Sequence, residues 1–321
     1  MKKKDCLLKV LSIIMLASAV LTGCKGKQAE EQPLRIAYLP ITHALPLFAA
    51  AELPDSIRNN KDVELVKFGA WTELSEALNT GKVDGAIILA EMAVKAQELG
   101  VPIKTVAPGH HDGNVAVVAP DVNSPADLKG KTVAIPHRLS SHNILLNILL
   151  QRAGLTIDDI KITELPPPEM PAALAEGRIA GYIVAEPFGA KGVESGAGKV
   201  LFESSELWPH SVCCTLVLRD DAVNNKSEGV AKFLADYHVG ADSLDANPAW
   251  AMQVARQYLK ADSAVIARSL GWISFDNLQP VRQDYETLSN YITQYNLLKE
   301  VPAFSQFADT TIYQTAYNKF H

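Results

Sequence analysis

Residues Ala77 to Glu91 read A-L-N-T-G-K-V-D-G-A-I-I-L-A-E, and residues Ala173 to Glu186 read A-L-A-E-G-R-I-A-G-Y-I-V-A-E. The two stretches align at an offset of 96 residues, up to a one-residue deletion near the end. Each combines the tail of a helix, a glycine, a basic residue and an apolar run ending in Ala-Glu. Gly81 and Gly177 stand where a helix C-terminus takes a residue of positive φ. Val83 to Leu89 and Ile179 to Ala185 are apolar almost throughout, which predicts buried parallel strands. A helix–glycine–strand unit repeated about a hundred residues apart constrains the chain to two similar α/β lobes. Ligands of such lobes gather outside the carboxyl ends of the strands, so the repeat predicts a cleft between the lobes with Glu91 and Glu186 near its rim.

The amino terminus begins M-K-K-K-D, continues through the apolar run Leu11 to Leu21 and reaches L-T-G-C at Leu21 to Cys24. A basic start, a short apolar stretch and small residues before a cut site predict a signal peptide over residues 1–23. Its ending resembles the lipobox of bacterial lipoproteins, which implies cleavage before Cys24 and a lipid on that thiol. Residues 24–33 are polar and aperiodic and read as a tether. No later stretch holds eighteen apolar residues in a row, so nothing else is expected to span a bilayer. Removing the leader, with its four lysines and one aspartate, takes the net charge from −6 to −9. No basic cluster follows Cys24, which argues against a nucleic-acid partner. Cys213 and Cys214 are the cysteines left after Cys24. They read as two buried thiols, a strained vicinal disulfide being the alternative, and no zinc-type spacing accompanies them.

The alternation of apolar runs and helical periods predicts β-α-β-α-β-α-β from Leu34 to Ala107, the pattern of a mostly parallel sheet flanked by helices. Gly109 to Gly113 (G-H-H-D-G) reads as a tight loop, with His110 and His111 a solvated pair rather than a metal site. A second alternation runs from Thr132 to Phe202. Ser211 to Leu218 reads as a return strand, and helices complete the chain from Ala222 onward. The expected division is residues 34–118 with 215–321 as lobe 1 and 119–214 as lobe 2, joined by two crossings that serve as a hinge.

No nucleophile elbow, Walker loop, dinucleotide fingerprint or H-E-x-x-H motif occurs, so no catalytic constellation, cofactor site or metal site is predicted. Binding is better supported. Trp71 opens a helix after the second strand, as a cleft wall or a core aromatic. Ser141 and His142 follow Ser140 at the start of a long apolar helix, where free N–H groups and hydroxyls suit an anion, or where a serine simply caps the helix. Asn114 begins a strand at the crossing between lobes, as a ligand contact or a turn residue. Thr42 and His43 begin the first helix, with capping the competing role for Thr42. Glu91 reads as a helix-start acid and Glu186, in A-E-P-F, as the acid nearer the cleft.

These residues resemble those of the solute-binding proteins of ABC importers, in the group that takes up nitrate, bicarbonate, aliphatic sulfonates, taurine and thiamine-precursor pyrimidines. The resemblance is carried by L-R-I-A-Y-L-P, G-K-V-D-G-A-I-I, S-P-A-D-L-K-G-K-T-V-A-I-P, S-H-N-I-L-L and Y-I-V-A-E-P-F. It implies a two-lobe periplasmic-binding-protein fold of type II-like topology, a monomer that captures a small solute, and an ABC permease with its ATPase as partners. It also implies a lipid-anchored protein on the extracytoplasmic face and no enzymatic activity. The alternatives are an enzyme on the same fold acting on a pyrimidine- or pyridoxal-like substrate, or a ligand sensor for a receptor. Trp71, Asn114 and His142 match pocket positions of the nitrate-type binders, where Asn114 is one methylene shorter than the glutamine of that pattern. The lysine of that pattern, shortly after the L-W-P-H stretch, is missing, since no lysine occurs between His210 and Arg219. That leaves a zwitterion, a neutral heterocycle, or an anion held by dipoles and His142 as the compatible ligands.

Overall fold

A computed structural model describes residues 32–320. The predicted signal peptide, Cys24 and most of the tether lie outside the described residues. The strands follow in the order β1 (Leu34–Tyr38), β2 (Val63–Lys67), β3 (Gly85–Leu89), β4 (Ile103–Pro108), β5 (His111–Asp112), β6 (Asn114–Val118), β7 (Thr132–Ile135), β8 (Lys161–Glu164), β9 (Gly181–Ala185), β10 (Lys199–Glu203), β11 (Cys214–Arg219) and β12 (Ile273–Ser274). The first sheet has the order β2-β1-β3-β11-β4 and the second β10-β6-β9-β7-β8, while β5 pairs with β12 alone. In the first sheet β11 runs against both neighbours, β3 and β4. In the second sheet β6 runs against both neighbours, β9 and β10. The other strands of each sheet share one direction. This is the expected two-lobe α/β architecture, with one reversed strand in each sheet.

The reversal follows from connectivity. β6 comes after β4, which belongs to the first sheet, and β11 comes after β10, which belongs to the second. A chain that leaves the carboxyl end of one sheet and enters the other starts its new strand at the face where carboxyl ends gather. That strand must then run against its neighbours. The first passage occupies Gly109–Gly113. Ending lobe 1 at residue 118 therefore does not fit the pairing, because Asn114–Val118 is hydrogen-bonded on both sides within the second sheet.

The two copies of the repeat fold alike down to single hydrogen bonds. Gly81 has φ 73° and Gly177 φ 67°. Beyond them, the N–H of Lys82 donates to Ala77 O at 2.9 Å and that of Arg178 to Ala173 O at 3.0 Å, the six-to-one closure of a helix end. Both strands start two residues later than the apolar pattern predicts, at Gly85 and Gly181, where the reversed strand crosses close by. A Cβ on Gly85 would stand 2.6 Å from Val217 O, and one on Gly181 2.9 Å from Val118 Cγ1. At the other end Leu89 pairs with Cys214, and Ala185 with Asn114. Each repeat thus delivers its Ala-Glu ending beside the first residue of the strand arriving from the other sheet.

The tail serves both sheets. Helix Ser227–Ala246 packs on helix Leu45–Glu52 of the first, close enough that a Cβ on Gly240 would lie 2.7 Å from the Ala50 nitrogen. Helix Ser263–Leu270 instead packs on helix Phe188–Glu194 beside the second sheet, with Arg268 paired to Glu194 at 2.5 Å. Assigning all of 215–321 to lobe 1 therefore leaves out this contact. Among the described residues no helix is long and apolar enough to cross a membrane. The close strand approach predicts that Gly85→Ala and Gly181→Ala each cost about 1–3 kcal/mol through forced displacement of a packed neighbour. Urea unfolding checks this, and parental stability in both variants would contradict it.

Candidate functional site

The strand ends of both sheets gather a set of polar side chains that are buried, and several of them lack protein partners. From the second sheet come Asn114, the first residue of β6, and Ser141 and His142, the first two residues of helix Ser141–Gln151. From the first sheet come Glu91, in the first turn of helix Ala90–Glu98, and His43, His110, Cys213 and Cys214. Among the described residues, Asn114 Oδ1 and Nδ2 and both ring nitrogens of His142 have no protein hydrogen-bond partner, while the Ser141 hydroxyl and the Glu91 carboxyl have none beyond each other. An unpaired buried polar group costs about 1–3 kcal/mol, so native proteins keep few of them and concentrate them where they act.

Local structure explains why these atoms stay unpaired. Ser140 takes the capping role, accepting the Asn143 N–H at 3.3 Å, which leaves the Ser141 hydroxyl uncommitted. The Asn114 backbone N–H donates to Ser204 Oγ at 3.3 Å, while its side chain makes no bond. Glu91 does stand in a first helical turn, yet it is 0% exposed and its neighbours are Ser141 and Cys213 rather than water. Trp71 opens helix Trp71–Asn79 and is buried with an unpaired Nε1. It lines a pocket of about 220 Å³ with Pro136, His137, Glu164 and Pro166, which joins the strand ends of the two sheets.

Other expected contacts serve the frame. Thr42 donates its N–H and its hydroxyl to Glu186 O, at 2.8 and 3.2 Å, tying the first sheet to the end of β9. It caps no helix, because Ile41 occupies the N-cap position. His43 faces Cys214, with Nδ1 3.5 Å from Sγ, and its Nε2 bonds Gly113 O at 3.1 Å. The His110-His111 pair is not solvated: His110 is 0% and His111 6% exposed. β12 covers the segment by pairing Ile273 with Asp112, and Asp112 Oδ1 accepts from the N–H and hydroxyl of Ser211, both at 3.1 Å. Cys213 and Cys214 are buried free thiols, with sulfurs 4.0 Å apart. His110 and the two cysteines carried no motif; only the fold brings them to His43.

Burial governs the electrostatics. It pulls His142 down to about 4 and His110 to about 3, both reinforced by His43, with Cys213 acting in the opposite sense. These imidazoles are neutral at physiological pH. Burial pushes the Glu91 carboxyl well above its ordinary range, and Cys213 adds to that. Burial also acts to raise Cys213, but the Cys214 thiol and the His142, His110 and His43 rings outweigh it, so Cys213 is the thiol held low. Cys214 is pushed up by burial and then by Cys213. Among the described residues the buried polar groups include no lysine or arginine.

Residues 27–259 match the profile of the NMT1-like family. The chain is 28% identical over 221 residues to the nitrate import ATP-binding protein NrtC of Synechocystis sp., covering 62% of this chain and 33% of that protein. It is 30% identical over 204 residues to a protein of Escherichia coli (strain K12) named for binding aliphatic sulfonates, covering 61% of this chain and 64% of that protein. The chain thus spans about a third of the first relative and just under two thirds of the second. Among solved structures, the ligand-binding component of an ABC-type import system from Staphylococcus aureus, with zinc bound, aligns with a TM-score of 0.85 and 34% identity, covering 89% of this chain and 99% of that one.

Glu186 differs from Glu91 despite their equivalent places in the repeat. Its Oε2 accepts from Ser269 Oγ at 2.7 Å and from the Ala190 N–H at 3.0 Å, leaving only Oε1 without a partner. Burial nevertheless raises its carboxyl from 4.5 to about 7, against the pull of Ser269 and the Ala190 and Gly189 amides. The folded protein holds this proton to higher pH than the unfolded chain does. The contribution to stability is therefore complete below pH 4.5 and is lost as pH rises through about 7. Glu186→Gln removes the titration and is expected to flatten the decline of unfolding free energy across that window. A decline as steep as the parent's, measured by denaturant unfolding, would contradict the assignment.

Proposed function

This chain belongs to the NMT1-like family, and we propose that it is the extracytoplasmic solute-binding component of an ABC importer. In this reading two lobes close over a small solute and the loaded form is presented to a membrane permease and its ATPase. The protein works as a monomer held at the membrane by lipid on Cys24 and makes or breaks no bond in its cargo. One observation carries the reading. Glu91 on one side meets Ser141 on the other, and beside them Asn114 and His142 keep polar atoms without a protein partner at the facing strand ends. A ligand that completes their hydrogen bonds bridges the two sheets and favours the closed arrangement. Such differential affinity for open and closed states is what a permease needs to tell loaded from empty.

The relatives' names point to nitrate and aliphatic sulfonates as ligand chemistry. In this chain the polar set holds neutral imidazoles and no buried lysine or arginine. A bare anion would have only the amino end of helix Ser141–Gln151 to balance its charge. A zwitterion supplies its own balance: its acidic end suits that helix terminus and His142, and its cationic end donates hydrogen bonds to the side-chain oxygens of Glu91 and Asn114. One observation favours an enzyme instead, namely the low-held Cys213 thiol among imidazoles, which has the character of a nucleophile.

A thermal-shift panel of nitrate, bicarbonate, alkanesulfonates, taurine and aminopyrimidines separates these readings, since a ligand that binds the native state stabilises it. The stabilising solute should be recovered chemically unchanged, and turnover would overturn the binder reading in favour of the enzyme. His142→Ala, Trp71→Ala and Glu91→Gln are each expected to weaken its binding tenfold or more, about 1.4 kcal/mol. Calorimetry showing unchanged affinity in all three would contradict the site.

A further inference from the structure

One group of side chains at the strand ends of the first sheet has donor chemistry beyond what a small organic solute requires. His43, His110, Cys213 and Cys214 each offer one ligand atom, all four residues are buried, and the four atoms lie within 4.8 Å of one another. They come from three places: the turn after β1, the turn after β4 and the residues that open β11. A tetrahedral ion with metal–sulfur bonds of about 2.3 Å and metal–nitrogen bonds of about 2.0–2.1 Å needs sulfur–sulfur edges of about 3.8 Å and sulfur–nitrogen edges of about 3.6 Å. The Cys213–Cys214 sulfurs are 4.0 Å apart, and Cys214 Sγ stands 3.5 Å from His43 Nδ1. The His43 and His110 rings face each other with centroids 3.6 Å apart.

The surroundings favour coordination as well. The Gly113 carbonyl, 3.1 Å from His43 Nε2, accepts a hydrogen bond from the proton on that nitrogen and leaves the Nδ1 lone pair toward Cys214. A backbone carbonyl orienting the far nitrogen is the usual support of a metal-ligating histidine. His110 Nε2 accepts the Cys214 N–H at 3.3 Å, and its Nδ1 is buried without a protein partner among the described residues. Two thiols and the Glu91 carboxyl share this region with no buried lysine or arginine among the described residues, so no protein cation competes with a metal ion for these donors. Mixed sulfur and imidazole donors select zinc-class ions over magnesium or calcium.

We propose that His43, His110, Cys213 and Cys214 form a binding site for a thiophilic divalent cation of the zinc class at the strand ends of the first sheet. The proposal stands on this donor set and is independent of which organic solute crosses the cleft. An ion held there joins the turn after β1 and the turn after β4 to the start of β11, beside the hydrogen-bonded pairing of β4 with β11.

The test uses the full chain, reduced and stripped with a chelator, then titrated with Co²⁺. The expected result is one equivalent bound, with near-ultraviolet thiolate-to-cobalt charge-transfer bands and the intense visible bands of a tetrahedral site, displaced one-for-one by Zn²⁺ and not by Mg²⁺. Cys213→Ser and Cys214→Ser should each remove part of the charge-transfer intensity. His43→Ala and His110→Ala should weaken Zn²⁺ binding a hundredfold or more, while His238→Ala, outside the cluster, should leave it unchanged. A wild-type cobalt spectrum without charge-transfer bands overturns the proposal and requires no variant to fold. Unchanged Zn²⁺ affinity in a folded Cys213→Ser, Cys214→Ser double variant overturns it too. Solute binding measured in chelator tests the transport reading separately, so either can fail alone.

Discussion

Two passages of the chain between sheets set the rest of the structure. Because β6 and β11 are delivered from the opposite sheet, both begin at the strand ends and run against their neighbours. Their first residues, Asn114 and Cys214, therefore emerge beside the Ala-Glu endings of β9 and β3. Gly85 and Gly181 follow from the same constraint, since a side chain at either would collide with the reversed strand. The polar cluster is thus a product of topology: the endings of β1, β3, β4, β7 and β9 meet the beginnings of β6 and β11, from stretches far apart in sequence.

Much of this could be read from the residues. The doubled stretch foretold two matching helix ends and strands because helix closure at Gly81 and Gly177 and an apolar strand are local physics, governed by φ and by burial. Trp71, Asn114, Ser141 and His142 could be singled out because they stand where strands end or helices begin. What stayed hidden depends on contacts distant in sequence. His43 and Cys214 are 171 residues apart and Cys214 and His110 are 104 apart, so no ligand spacing could reveal them. The His110-His111 turn looked solvated because its cover, β12, lies far downstream. The two glutamates of the repeat exchanged emphasis for a similar reason. Ser269 reaches Glu186 from a helix in the tail, whereas Glu91 meets Ser141 and Cys213 at the strand ends.

The electrostatic character of the site follows from its depth. Burial neutralises His142 and His110 and keeps Glu91 protonated toward higher pH, so the cluster presents hydrogen-bonding groups with little fixed charge. Each buried atom without a partner lowers stability, and a ligand that completes its bonds would recover that cost. A binding protein benefits from that recovery, because the free energy of ligand binding then reports directly as a change of state. The same low polarity makes a soft cation with thiolate and imidazole ligands a natural occupant of the first-sheet side.

The central claim is that the unpaired atoms of Glu91, Asn114 and His142 are completed by one ligand shared between the sheets. A crystal structure of the protein with its most stabilising solute tests this most directly. The account predicts solute atoms within hydrogen-bonding distance of Glu91 from one sheet and of Asn114 or His142 from the other. Solute density elsewhere, for example in the surface pocket lined by Gln97, Lys104 and Gln306, with no solute atom on Glu91, Asn114 or His142, would contradict it.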